Sequence, residues 1–202
     1  MNKDNLKSSL WSLFYEDEGY DINGDRIMGR QAAGWSYLKA LIKDKPSKIS
    51  AYIRKDDQKE LFINKVKSQL DKSDSLDIEF INYAEPHKTA QNGGLFVPGP
   101  GIASFASHRS FFGHDRYSIV GITHTTASNT VMSGLEALAF SDVMPWDAII
   151  CTSDCVLDTV NKVLEHKYNN IKNKFSIDKP LYPQLPIIPL GIDKDEFEYS
   201  KD

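Results

Sequence analysis

The sequence predicts an α/β fold, a mainly parallel sheet with helices on both faces in one domain, and three observations carry that expectation. Short apolar runs alternate with stretches of helical period over the first 82 residues, in the order β-α-β-α-β. The apolar residues Ile119, Val120 and Ile122 break abruptly into hydroxyls and an imidazole, as a buried strand does where it emerges at the rim of a sheet. The chain has 202 residues, enough for one full core and short for two.

Taken in order, residues 10–15 are a compact apolar and aromatic run, a strand, and residues 16–25, rich in Asp, Glu, Gly and Asn, are the loop that follows. From Ile27 the period changes. Gln31, Trp35, Leu38 and Ile42 fall along one helical face that ends before Pro46. Residues 49–54 form a second strand. Residues 57–70 carry Phe62, Val66 and Leu70 at i, i+4 and i+8, an amphipathic helix, and residues 78–82 form a third strand. Right-handed crossovers then place every strand's carboxyl end on one rim.

The stretch HKTAQNGGLFVPGPG, residues 87–101, holds four glycines and two prolines around the brief apolar run 95–97. It reads as a bent rim loop in which Gly99 or Gly101 lets backbone approach a ligand, or equally as a plain surface hairpin. Residues 103–112 look helical, with His108 and Arg109 facing water. Residues 118–122 are the central strand. Residues 131–143 make a well-buried helix stopped by Met144 and Pro145. Residues 148–151 form another buried strand, after which Thr152, Ser153 and Asp154 supply an N-cap and a dipole-matched acid for a helix over 155–170 with Val156, Val160, Val163 and Leu164 inward. Residues 168–178 are a solvated helix end or loop, and residues 186–192 a last extended run broken by Pro189. The count is about six strands in a three-layer, Rossmann-like α/β/α domain.

Twenty-four basic and 28 acidic residues give a net charge of −4, with the signs mixed along the chain, so nothing points to a nucleic-acid surface. Cys151 and Cys155 have no neighbouring His or second Cys pair, which argues against zinc and against a disulfide framework. The amino terminus lacks the pattern of a signal peptide and no run reaches the roughly 18 apolar residues of a membrane span. No integral membrane segment and a cytoplasmic location are the expectation.

Chemistry is expected on the carboxyl rim, since ligands of open parallel sheets bind beyond the strand ends. His124, with Thr125 and Thr126 after it, occupies that ground, although Thr and Ser from 123 to 128 equally suit the turn and cap of the next helix. Gly24, Arg26, Gly29 and Arg30 sit where the first loop enters the first helix. Unpaired N–H groups, the positive helix end and two guanidinium groups there suit phosphate or carboxylate. The spacing is neither GxGxxG nor a P-loop, and solvated loop charges are the plainer explanation.

Four segments in order resemble the amino-terminal half of GT-B retaining glycosyltransferases of the group 1, or family 4, type: GDRIMGRQAAGWSYLKAL, GITHTTAS, DAIICTSDCVLDTV and PIIPLGID. The resemblance implies one half of a GT-B fold, the acceptor side. It implies a nucleotide-sugar as co-substrate with no further cofactor and no metal, and a sugar or glycan acceptor. It matches His124 to the histidine beside the transferred sugar, Gly24 and Gly29 to the loop approached by the diphosphate, and Ser153 to a serine after a strand that helix capping explains equally well. Arg26 and Arg30 match by location alone. In that family a carboxyl-terminal domain binds most of the nucleotide. The sequence ends about ten residues after Gly191, where that domain begins in the family, so the donor half is expected from elsewhere, in cis or in trans.

Three functions compete. The first is the acceptor-side domain of a sugar transferase, inactive alone. The second is a non-catalytic or split-enzyme subunit that binds an acceptor or a partner chain, for which the apolar run 95–105 is a candidate patch. The third, a dinucleotide or methyl-transfer enzyme, is weakened by the missing glycine fingerprint and by Arg54 and Lys55 standing where an acid is needed after the second strand.

Overall fold

The computed structural model describes residues 11–22, 29–71, 75–176 and 181–191. Six strands, β1 (Trp11–Tyr15), β2 (Lys48–Ile53), β3 (Asp77–Asn82), β4 (Gly94–Val97), β5 (Ser118–Ile122) and β6 (Ala148–Ile150), pair in the order β3-β2-β1-β4-β5-β6. Every pairing is parallel. The expected Rossmann-like three-layer fold is therefore found. Four helices cross between strands, α1 (Gly29–Lys43), α2 (Gln58–Lys67), α3 (Ala103–Ser110) and α4 (Asn129–Leu138), and a fifth, α5 (Asp154–Phe175), follows β6.

Alternation along the strands decides what each face buries. Leu13 and Tyr15 of β1 with Ile49, Ala51 and Ile53 of β2 meet Leu38 and Ile42 of α1 and Phe62 and Val66 of α2. Phe14 and Tyr52, pointing the other way, join Leu95, Ile119 and Ile149 beneath Phe105, Leu135, Val160 and Leu164. Helix α1 can lie this close because residue 34 is glycine. A Cβ there would fall within 3.0 Å of the Gly19 carbonyl oxygen and 3.3 Å from the Tyr20 ring.

The run 95–97 corrects the reading of residues 87–101 as a rim loop or hairpin. It is β4, buried throughout and seated between β1 and β5. Four residues between glycines and prolines are too few to show a period, although a short apolar run bounded by turn residues is what a central parallel strand looks like. No α-helix precedes β4. A 3-10 stretch, Pro86–Asn92, makes the crossing and ends at Gly93, whose φ of 74° lies in the left-handed region that glycine tolerates. The strand surface beneath it is polar accordingly. Glu79 accepts from Ser50 Oγ at 2.6 Å and Lys48 Nζ at 3.0 Å, and Asn92 Nδ2 donates to Ser12 Oγ at 3.1 Å.

The run 186–192 is not a strand within its described part, residues 186–191. It lies beside β6 and makes one isolated bridge, Cys151 with Ile187, while Gln184 just before it makes another with Ala148. Pro186 and Pro189 carry no N–H for a continuous ladder. Helix α4 begins and ends earlier than 131–143 and buries only Leu135 and Leu138, leaving Phe140 58% exposed. Helix α5 continues past 170 to Phe175, and of its expected inward face Val160 and Leu164 are buried.

Arg109 overturns the expectation that it faces water. It is fully buried and pairs bidentately with Asp147, Nη1 to Oδ1 at 2.7 Å and Nη2 to Oδ2 at 2.8 Å. Nη1 also donates to the Tyr117 carbonyl, and Asp147 accepts from the amides of Ile119 and Met144. A buried charge persists when it is paired and hydrogen-bonded in this way, here through both Nη atoms while Nε is left without a partner among the described residues. His108 is half-buried, its ring 4.4 Å from that of Tyr83.

Candidate functional site

The strand order reverses between β1 and β4, and in an open parallel sheet the crevice beyond such a reversal is where ligands bind. The loops leaving β1 and β4 flank it, with the turn after β5 beside them. Gly99 and Gly101 in the β4 loop border open space, since a Cβ at either would meet nothing within 4 Å. Gly99 also supports the rim: its carbonyl accepts from Ile122 N, and a Cβ at Gly121 would come within 2.6 Å of it.

The turn after β5 divides its residues between structure and site. Thr123 extends the sheet, its amide and Oγ1 both donating to the Ile150 carbonyl, at 3.0 and 2.9 Å. Ser128 caps α4, accepting from Val131 N at 3.2 Å. Thr125 Oγ1 accepts from Ala127 N at 3.2 Å and closes the turn, and Thr126 is half-buried. Capping thus accounts for Ser128 and turn geometry for Thr125. His124 is left out of both. Its two ring nitrogens are buried and neither makes a well-formed hydrogen bond with a described residue, although the Pro98 backbone carbonyl acts on the ring.

Helix α1 brings its first turn against this histidine. A Cβ on Gly29 would lie 3.7 Å from His124 Cβ. Burial lowers the His124 pKa from its ordinary value to about 4, the Pro98 backbone carbonyl opposes the shift and the positive charge of Arg30 adds to it. The ring is therefore neutral at pH 7, with one N–H to donate and one nitrogen to accept. Such a group suits a hydroxyl better than it suits a diphosphate. Arg30 supplies the positive charge nearby, held by Glu18 at 2.7 Å.

Of the residues singled out in the sequence, His124, Gly29 and Arg30 come together, and Thr125 and Thr126 follow on the same turn. Ser153 stands exposed at the next strand end, where it caps α5 by accepting from Val156 N at 3.3 Å. Gly24 and Arg26 lie outside the described residues. The run 95–105 offers no exposed apolar patch, because Leu95, Phe96, Val97, Ile102 and Phe105 are all buried.

Two features escape a reading of the sequence. One is an apolar groove of about 1060 Å³ on the face of α1, where Tyr37, Phe96, Ile122 and Ile150 face Ile188 and Leu190. Among the described residues no helix covers β5 and β6 there, and only the assembled topology reveals it. The other is a polar cavity where β1 and β2 end, lined by Glu16, Arg54 and their neighbours. Its signal was present in the charged residues immediately after two strands, YEDEG and IRKDD.

Among the described residues no group of three His, Cys, Asp or Glu side chains is placed to hold a metal ion, and no helix is long and apolar enough to cross a membrane. Comparison with family models, with curated proteins and with solved structures returned no match.

Proposed function

We propose that the chain is the acceptor-side domain of a retaining glycosyltransferase, which transfers a sugar from a nucleotide-sugar donor to a sugar or glycan acceptor once a donor-binding domain is supplied in cis or in trans. The observation that carries this reading is His124. It is a desolvated, neutral imidazole at a strand's carboxyl end against the first turn of α1, with both ring nitrogens buried and, among the described residues, only the Pro98 backbone carbonyl acting on them as an acceptor, short of a well-formed hydrogen bond. A buried polar group without a partner costs stability, roughly 1–3 kcal/mol for each group left unsatisfied, and a ligand that hydrogen-bonds it recovers that loss.

In the proposed reaction the bond from the sugar's anomeric carbon to the diphosphate oxygen breaks and a bond from the acceptor oxygen to that carbon forms, while the acceptor hydroxyl gives its proton to the departing diphosphate. His124 hydrogen-bonds a hydroxyl of the transferred sugar, holding the ring as positive charge develops on it. The α1 N-terminus and Arg30 supply positive potential toward the departing diphosphate. With the donor-binding domain present, His124→Ala is expected to lower turnover more than tenfold, the scale of one lost transition-state contact, without loss of folding. Unchanged turnover takes His124 out of the active site.

A second reading, a subunit that binds a partner chain without turnover, is favoured by the apolar groove, where Ile188 and Leu190 are each half exposed. Transfer activity that depends on His124 separates the first reading from the second.

A further inference from the structure

We propose that the cavity where β1 and β2 end binds a monosaccharide-sized polyol carrying one anionic group. The proposal rests on the glycosyltransferase reading only in taking the acceptor to be this ligand. The cavity, about 300 Å³, is lined by Glu16, Asp17, Glu18, Arg54, Lys55 and Gln58. That volume is at the low end of ligand sites, which run from about 300 to 1,000 Å³, and so suits a single sugar ring.

Arg54 is held in place before any ligand arrives. Its guanidinium carbon lies 5.0 Å from the ring centre of Phe14, 5.2 Å from that of Tyr83 and 5.5 Å from that of Phe105. Nη1 donates to Glu16 Oε1 at 3.0 Å. A guanidinium has five N–H donors in a fixed fork, so most remain for a ligand. The Asp17 and Gln58 part of the lining is fixed as well. Gln58 Oε1 accepts from the Asp17 amide at 2.8 Å, and the Asp17 carboxylate accepts from Tyr15 and Lys65 at 2.5 and 2.6 Å. Donors on Arg54 beside acceptors on Glu16 and Glu18 are the alternation that neighbouring hydroxyls of a sugar require.

The charges of the lining argue for the anion. Each acid has its own cation: Glu16 pairs with Arg54, Asp17 with Lys65 and Glu18 with Arg30. Lys55 alone among the lining charges has no ion pair with a described residue. With the three carboxylates of the lining neutralised, two of them by Arg30 and Lys65 from outside it, the Lys55 ammonium is the lining charge without an ion-pair partner among the described residues, and facing a phosphate or carboxylate it forms a charge-assisted bond. Glu18 also ties the cavity to the proposed active site, since the arginine it holds is the one whose charge reaches His124.

Two sources present this chemistry, a free sugar phosphate and the ribose phosphate of a nucleotide, so titration calorimetry on the 202-residue chain uses glucose 6-phosphate, glucose, inorganic phosphate and 2′-AMP. Glucose 6-phosphate is expected to bind at least tenfold more tightly than glucose or phosphate alone. Lys55→Met, at an exposed position, is expected to remove that advantage and leave glucose binding unchanged, and Arg54→Met to abolish both. Tighter binding of 2′-AMP, equally sensitive to Lys55→Met, supports the site and assigns the ribose phosphate as the source. No detectable binding of either phosphate ester, or binding indifferent to Lys55→Met, overturns the proposal. Its failure differs from failure of the functional reading: binding without any sugar transfer leaves the site standing, and transfer unaffected by Lys55→Met overturns the assignment of this ligand as the acceptor and keeps the transferase.

Discussion

Replacing Gly34 by alanine sets two effects of opposite sign against each other. In the middle of a helix the change is favourable by about 0.8–1 kcal/mol, because alanine loses less backbone entropy on folding. Here the added methyl meets the Gly19 carbonyl oxygen within 3.0 Å and the Tyr20 ring at 3.3 Å. The oxygen belongs to backbone fixed by the hydrogen bonds of the Asp17–Gly19 turn, so it has no rotamer by which to withdraw. Relief requires α1 to lift from the turn, and overpacking of this kind costs about 1–3 kcal/mol or more. A clash with fixed backbone belongs in the upper part of that range, about 2–3 kcal/mol, so the steric term wins and leaves Gly34→Ala destabilised by about 1–2 kcal/mol. With a urea slope of about 2 kcal/mol/M, the unfolding midpoint drops by roughly 0.5–1 M. Gly134→Ala in α4 is the matched control. Its Cβ meets nothing nearer than 3.6 Å, so the helix term stands alone and the midpoint rises. A Gly34→Ala protein as stable as the parent, or more so, refutes the claim that this contact seats α1.

Three further outcomes are expected. His124 titrates near pH 4 by NMR; because its folded pKa lies below the unfolded one, stability is full above about pH 6.5 and is lost as pH falls toward 4, and His124→Gln flattens that window. Arg109→Met leaves the Asp147 carboxylate buried and unpaired, and is expected to cost about 3–5 kcal/mol by urea or thermal unfolding, against almost nothing for a solvated arginine. Ser153→Ala removes the α5 cap and lowers stability by about 1 kcal/mol, whereas Ser153→Asn restores it; loss of transfer activity in the stable Asn variant would bring Ser153 into the site after all.

Strands β1, β2, β3, β5 and β6 are legible in the sequence because each is a run of apolar residues long enough to contrast with its flanks. Strand β4 is not, since Gly94 to Val97 stands between a 3-10 turn and two prolines and the run could not be told from a loop. The six expected strands and the six observed agree in number while differing in one member, β4 standing in for the proline-broken run at 186–191. His124 is legible as a site because an imidazole directly after a buried strand is out of place. Arg109 is not, because no local pattern reveals that Asp147, 38 residues away, meets it in the core. The cavity at Arg54 needs the same kind of knowledge. Its charges are visible in the sequence, but their pairing, which leaves Lys55 over, depends on which strands are neighbours.

The Arg109–Asp147 pair also bears on how the chain reaches this fold. Both groups are wholly out of water, and the pair holds the end of α3, the start of β5 and the turn before β6 at once. A compact intermediate that buries one of them without the other carries a bare charge in its interior and is disfavoured. These three pieces therefore dock together or not at all. The end of α3, β5 and the approach to β6 are expected to open as one cooperative unit, leaving few partly frayed states in which these strands are exposed to pair with another molecule.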